Sequence, residues 1–331
     1  MQFSFSTDQR DFAASLREML VNEFPTKQLR EVWDTGAGHD PALWARLADM
    51  GVLSMMLADA DGGMGGDFTD AILLIEELGR AAVPGPVFET MTVGASALGG
   101  TPFAAGIADG SVAVTAALLG ETNVPHAGVS DVILLRDGDR VVSMDRSALQ
   151  LTDVPGLDGG RRLSTILRPV GPGTPLSLEL REALDMGALA SASYLLGLSS
   201  RMLQIAGDYA RERRQFSQPI GAFQAVKHLM ADALLKVEFA RPAIARAAWS
   251  MSVGHDDRSR DVSMAKALAS DAATKSARSA LQVHGAIGYT WECDLQLFMK
   301  KAWALIPAWG TTTFHRRRVS DAVLGVRPPT S

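Results

Sequence analysis

Everything after about Leu178 is rich in alanine and carries helical apolar spacing, and this constrains the fold more than any other feature of the chain. The predicted helices run roughly Leu178 to Arg214, Gly221 to Ser250, Val262 to His284 and Leu295 to Ala304, with another near the end. Small side chains let helix axes approach closely, so the expected product is a four-helix bundle packed at shallow angles. Pro242, inside the second helix, is expected to kink or interrupt it. No alternation of strand and helix, and no G-x-G-x-x-G after a strand, supports a Rossmann domain.

The chain opens with a different pattern. Ser6-Thr7-Asp8-Gln9 resembles a capping box, and Phe12, Leu16, Met19 and Leu20 follow at helical spacing. Further helices are predicted at about Pro41 to Met50 and Phe68 to Ala82, the latter stopped by Pro84-Gly85-Pro86. The glycine-rich run Asp59 to Gly66 has no strand before it and no lysine after it, so it reads as loop punctuation rather than a phosphate cradle. Between about Gly110 and Pro169 the pattern changes to short β-branched runs: Val112 to Ala116, Val132 to Leu135, Val141 to Met144 and Ser164 to Leu167. Asp137-Gly138 is a hairpin signal, so a small antiparallel sheet domain is expected, with Gly171 to Pro175 as a linker. The expectation is three units, with residues 1–109 helical, 110–175 a reduced β domain with its linker, and 176–331 the bundle. The fold class is therefore mainly α with a small β domain.

Composition removes several functions. A net charge of -5 gives no electrostatic footprint for nucleic acid or an anionic membrane surface. Cys293 stands alone, which excludes an intramolecular disulfide and any CxxC motif, and a reducing cytoplasm is the simplest home. The start lacks a basic segment followed by an apolar core, and no uninterrupted run of about eighteen apolar residues occurs. Histidines 39, 126, 228, 255, 284 and 315 form no i, i+3 or i, i+4 pair, so no metal site is expected.

Against this background the cluster Arg211, Arg213 and Arg214, accompanied only by Glu212, reads as a local site. Guanidinium forks match the oxygens of phosphate or pyrophosphate, while a solvated helix end favoured by the dipole explains the same residues without a ligand. The segment around them, Arg213-x-x-Phe216 followed by Pro219-Ile220-x-x-Phe223-Gln224, resembles the R-x-x-F and P-I-x-x-F-Q elements of acyl-CoA dehydrogenases. Gln282 to Gly288, Q-V-H-G-A-I-G, resembles that family's Q-x-x-G-G-x-G. L-W-A-R-L-A-D-M-G-V-L and E-E-L-G-R-A-A-V-P-G-P resemble its amino-terminal helical domain. The resemblance implies the family fold of helical domain, β domain and four-helix bundle. It also implies that Arg213, Phe216, Gln224, Gln282 and Gly285 contact the adenosine pyrophosphate half of an FAD lodged mainly in a neighbouring subunit, with Thr311 a contact in the chain's own site.

Two departures from the family matter. Its enzymes remove the proton alpha to a thioester with a glutamate, while hydride leaves the beta carbon for the flavin; that base is a carboxylate of tuned pKa. In the segment matching Y-E-G-T, Trp309 holds the glutamate position, and an indole has a donor but no proton acceptor. The alternative family position on the first bundle helix falls at Gly187. Asp185 is on another face of that helix, and Glu182 is more than one turn away. Glu292 is the remaining carboxylate, although a capping or ion-pair role suits it better. Moreover, the Y-x-x-T-E-P and W-I-T/S segments that contact the flavin ring and substrate are absent, and the β domain is about half the usual size.

The resemblance therefore implies a chain that keeps its contacts to a neighbour's cofactor and has lost its own catalytic apparatus. It is similar to the short, non-catalytic subunits of heteromeric actinobacterial acyl-CoA dehydrogenases acting on steroid side chains. The expected assembly is α2β2, with a catalytic partner subunit, shared FAD and an acyl-CoA substrate. A self-sufficient homodimeric flavoenzyme with a displaced base, and a scaffold of the same fold, remain the alternatives. Trp291, Trp303 and Trp309 can line an apolar cleft or pack between helices. His284 is expected to make a local hydrogen bond and Cys293 to be a half-buried small side chain.

Overall fold

The computed structural model describes residues 4–169 and 171–325. Helix α1 (Thr7–Glu23) starts at the capping box anticipated above, with the Gln9 amide donating to Ser6 Oγ at 3.1 Å and the Ser6 amide to Gln9 Oε1 at 2.8 Å. It buries Leu16, Met19 and Leu20. Two short helices follow, α2 (Thr26–Thr35), which the sequence reading missed, and α3 (Pro41–Asp49), capped by Asp40 with Pro41 in its first turn. Helix α4 (Phe68–Arg80) has its own box from Asp67 and Asp70, and Gln9 Nε2 donates to Asp70 Oδ1 at 2.8 Å, tying the two helix starts together.

Beyond Pro84-Gly85-Pro86 the chain stays helical where a breaker was expected to end regular structure. Helix α5 (Val87–Glu89), a π turn (Thr90–Gly94) and α6 (Ala95–Leu98) run without a break and are buried almost throughout. A helix buried all round has no polar face, so no 3.6-residue periodicity marks it in the sequence. Helix α7 (Ala104–Ala108) leads into the β region.

That region forms two small sheets rather than one. Strands β1 (Val114–Ala117), β3 (Val132–Asp137), β4 (Arg140–Asp145) and β7 (Thr174–Glu179) make the first, in the order β1-β3-β4-β7. Strands β2 (Asn123–Pro125), β5 (Leu149–Val154) and β6 (Leu163–Pro169) make the second, in the order β2-β6-β5. Pairing is antiparallel as expected except between β1 and β3, which run parallel with Val114 opposite Val132. A satellite core of Val124, Ala127, Ile133, Met144 and Leu149 draws on both sheets. The Gly-Pro segment read as a linker enters β7 at Thr174, where its backbone pairs with β4.

The bundle consists of α8 (Leu180–Glu212), α9 (Gln224–Ser252), α10 (Arg258–His284), α11 (Leu295–Leu305) and α12 (Thr312–Leu324). Helix α9 runs through Pro242 without interruption, so the neighbouring helices hold it against the missing backbone donor. What joins the amino-terminal helices to this bundle is a backbone-to-backbone crossing of α4 and α8. A Cβ on Gly79 would lie 2.2 Å from the Tyr194 carbonyl oxygen, and one on Gly197 would lie 2.0 Å from that of Glu76. Ser193 Oγ donates to the Ile72 carbonyl at 2.6 Å, and Tyr194 Oη to that of Val83 at 2.7 Å.

Neither glycine can accept a methyl group unless the helices separate. Gly79→Ala and Gly197→Ala are each expected to destabilise the chain by about 1–3 kcal/mol, as overpacked core substitutions do. Gly207→Ala, at a site on α8 with nothing within 4 Å, should raise stability by about 0.5–1 kcal/mol through helix propensity. Urea unfolding of the three variants tests the crossing, and equal effects would refute it.

Candidate functional site

Two regions concentrate the residues singled out by sequence, and they lie at opposite ends of the bundle. The first is where α8 and α10 end and α9 begins. Tyr209 stacks on His284 with ring centroids 4.4 Å apart, clamping the ends of α8 and α10 together. His284 Nδ1 bonds to the Ala280 carbonyl at 2.8 Å, the local role expected of it. After α8 the chain forms a tight hairpin of β8 (Arg214–Gln215) and β9 (Gln218–Pro219). Phe216 and Ser217 make its two-residue turn with φ of 50° and 66°, the left-handed pair that such a turn demands and that glycine or asparagine ordinarily supplies. Phe216 stands 87% exposed, its ring 6.1 Å from that of Phe223, edge to face.

The arginine cluster is resolved by geometry. Arg211 pairs with Asp208 one turn back, and Arg214 Nη2 donates to the Ser217 carbonyl at 2.9 Å. Arg213, the C-cap of α8, is exposed and has no carboxylate partner among the described residues. Gln224 at the start of α9 and Gln282 near the end of α10 are also exposed. Gly285 caps α10 at φ 62°, ψ -138°, a conformation that favours glycine. This end can therefore offer a free guanidinium, two carboxamides and an aromatic ring to a group outside the chain.

The second region is a cleft of about 300 Å³ between the β region and the segment after α11. Ala116, Asn123 and Arg161 line one wall and Ala304, Pro307 and Trp309 the other. Trp309 is buried with φ 57°, and its indole lies on Gly187: a Cβ at 187 would be 2.2 Å from the ring. The two positions identified with the family glutamate thus touch one another, and one aromatic side chain fills the space of both.

Two buried groups hold Trp309 there. Lys266 Nζ donates to the Ile306 carbonyl at 2.9 Å and lies within 3.5 Å of that of Gly310. Burial pushes its pKa down to about 7. His315 Nε2 donates to the Trp309 carbonyl at 2.8 Å. Burial, helped by the charge of Lys266, takes the imidazole to about 3, so it is neutral. Its Nδ1 must then accept the Ser263 hydroxyl at 3.2 Å. Thr311 caps α12, its Oγ1 accepting from the Phe314 amide at 3.2 Å. It sits by the cleft, while α10 alone separates Ser263 from Gln282 by roughly 28 Å of helix.

Among the described residues Glu121 is the one carboxylate lining the cleft; it is exposed, and its Oε2 accepts from the Leu119 amide at 2.8 Å. Asp185 is buried against Arg318 at 2.8 Å and also accepts from Ser259 Oγ. Glu292 is exposed, and its pKa is lowered by its own backbone amide and the Thr290 hydroxyl, the opposite of what a base working near neutral pH needs. Trp291 and Trp303 are partly exposed and do not line the cleft, and Cys293 is half-buried. Sequence reading missed a buried polar group under the cleft. Glu89 is fully enclosed with Oε2 unpaired, and desolvation raises it to about 7 against the opposing charges of Arg161 and Lys301. Lys301 itself pairs with buried Asp158 at 3.1 Å. The only sequence trace of Glu89 is a single acidic residue in an otherwise apolar stretch.

Comparison with known proteins fixes the family. The description "Acyl-CoA dehydrogenase, N-terminal domain" matches residues 6–105, and "Acyl-CoA dehydrogenase, C-terminal domain" matches residues 179–324. The acyl-CoA dehydrogenase IpdE2 of Mycolicibacterium smegmatis is 30% identical over 326 residues, which cover 96% of this chain and 99% of that protein. Among solved structures, the ChsE4-ChsE5 complex of Mycobacterium tuberculosis contains a chain that superposes with a TM-score of 0.88 at 23% identity, covering 99% of this chain and 100% of that one. A steroid acyl-CoA dehydrogenase, Tcur3481-Tcur3483, follows at 0.87 and 23% identity, with 96% and 98% covered. The chain belongs to the acyl-CoA dehydrogenase family, a family of oxidoreductases, and has its fold.

Glu89 makes stability depend on pH. Its folded pKa of about 7 lies above the ordinary 4.5, so the folded state binds the extra proton between those values and the contribution of Glu89 to stability falls as pH rises through that window, opposite in sign to that of His315. Glu89→Gln, which mimics the protonated acid, should remove that contribution, so that the stability difference between variant and parent grows by about 3 kcal/mol from about pH 5 to about pH 8. Urea melts at those two pH values check this; a difference that does not grow between them would refute it.

Proposed function

We propose that this chain is the non-catalytic subunit of a heteromeric, FAD-dependent acyl-CoA dehydrogenase. It completes the cofactor site of a catalytic partner subunit in an α2β2 assembly. The observation that carries this reading is the indole of Trp309 packed on Gly187, which leaves neither family glutamate position able to hold a carboxylate. A group that removes an alpha proton must be an acceptor within hydrogen-bond reach of it; the one carboxylate lining this cleft among the described residues, Glu121, is exposed and its Oε2 is engaged by the Leu119 amide at 2.8 Å. The base then comes from the partner.

The other end of the bundle fits the adenosine pyrophosphate half of FAD. Arg213 is the fork for a pyrophosphate oxygen, Gln224 and Gln282 are the hydrogen-bonding carboxamides, Phe216 is the apolar cover, and Gly285 allows close backbone approach. Bound FAD supplies the two-electron acceptor for alpha,beta-dehydrogenation of an acyl-CoA thioester. Thr311, engaged as a helix cap beside the altered cleft, ranks below these five. Similarity to IpdE2, to a chain of the ChsE4-ChsE5 complex and to a steroid acyl-CoA dehydrogenase supports a two-component enzyme acting on a steroid-derived acyl-CoA.

The test is the flavin-to-chain ratio after gel filtration, for this chain alone and co-expressed with a full-length family member encoded beside it. The expected outcome is colourless, inactive material alone and about one FAD per heterodimer together, since the site is split between chains. In that complex Arg213→Ala should weaken FAD retention by about tenfold or more while the heteromer still forms, the loss of one charge-assisted bond. A full flavin complement and ordinary turnover in the lone chain would overturn the proposal.

A further inference from the structure

A third site lies away from both regions, in an open cavity of about 490 Å³ bounded by α1, the turn after it, the end of α4, the middle of α8 and the start of α11. Arg17, Arg80 and Arg201 line it against a single lining carboxylate, Glu77. Arg17 takes both oxygens of Glu77, at 2.7 and 2.5 Å, so that pair is internally neutral. Arg80 is left 3.7 Å from Glu77 and donates to Gln204 Oε1 at 3.0 Å. Arg201 lies over the Phe298 ring at 5.8 Å and has no carboxylate partner among the described residues.

Three guanidiniums therefore share one cavity with a single carboxylate, Glu77, which Arg17 engages with both oxygens and Arg80 meets at 3.7 Å. Burial is the first cause of a lowered Arg80 pKa; Glu77 and Glu76 oppose it, and the charges of Arg17 and Arg201 add to the lowering. One carboxylate against three guanidiniums leaves an excess positive charge that favours an anionic ligand. Much of the remaining wall is apolar, with Leu20, Phe24 and Phe298 buried and Val21 exposed, and Thr26 and Gln204 add polar groups. Arg201 is some 21 Å along α8 from Gly187 and some 18 Å from Arg213, so this is neither the cleft nor the bundle end.

We propose that this cavity binds a small organic phosphomonoester, its dianionic phosphate held by Arg80 and Arg201 and its apolar group against Phe24 and Leu20. Two guanidinium forks match the charge and the several acceptor oxygens of a phosphate dianion. Isothermal titration of the full chain with phenyl phosphate, at fixed ionic strength, tests the assignment. The expected result is one site per chain, with phenyl phosphate bound about tenfold tighter than inorganic phosphate and benzoate weaker than either. Arg201→Gln, which removes no hydrogen bond within the chain, should abolish the heat with an unchanged melting temperature in buffer, whereas Arg213→Ala should leave it intact. Binding unaffected by Arg201→Gln, or no heat from phenyl phosphate, would overturn the proposal.

Discussion

The structure depends on the contact of α4 with α8 at Gly79 and Gly197, where no side chain separates the two backbones. Because the helices meet there, Glu76 and Glu77 on α4 can reach in two directions. Glu76 pairs with Arg241 of α9 at 2.7 Å, and Glu77 pairs with Arg17 of α1. The buried member of each pair is a carboxylate whose charge is met by a partly exposed guanidinium, which limits the desolvation cost. One crossing thereby fixes the bundle, the first helix and the walls of the arginine-lined cavity relative to one another.

It also makes α8 a ruler. Gly187 beneath the indole and Arg213 at the C-cap are on the same continuous helix, some 39 Å apart at the usual rise. The cleft and the bundle end are therefore separate surfaces of one helix. Lys266 and His315 show that the altered cleft is a settled arrangement. An uncharged imidazole and a lysine of lowered pKa are spent on holding the backbone around Trp309.

What was legible in the sequence was local. The capping box at Ser6, the hairpin at Asp137-Gly138 and the long bundle helices depend on residues a few positions apart, and each is where its pattern puts it. The parallel pairing of β1 with β3 and the strand hidden in the Gly-Pro segment depend on partners far along the chain. Fully buried α5 and α6 erase the periodicity that would reveal them. For the site, motif register identified Trp309 and Gly187 separately, but their contact is a property of packing. Arg213 was visible as part of a cluster; that Arg211 and Arg214 are satisfied locally and Arg213 is not required the geometry.

Backbone strain separates the two regions further. Trp309 and Phe216 are both large residues at positive φ, a conformation costing about 1–2 kcal/mol for a residue with a Cβ. For Trp309 the offset is visible within the chain, because its ring is buried on Gly187 and its carbonyl is held by His315. Phe216 has no comparable return. Its ring is 87% exposed and lies 6.1 Å from that of Phe223, edge to face. A glycine in that turn would remove the strain and the exposed apolar surface together. The strained, exposed Phe216 and the Arg213 guanidinium, which has no carboxylate partner among the described residues, thus belong to one short hairpin on the surface.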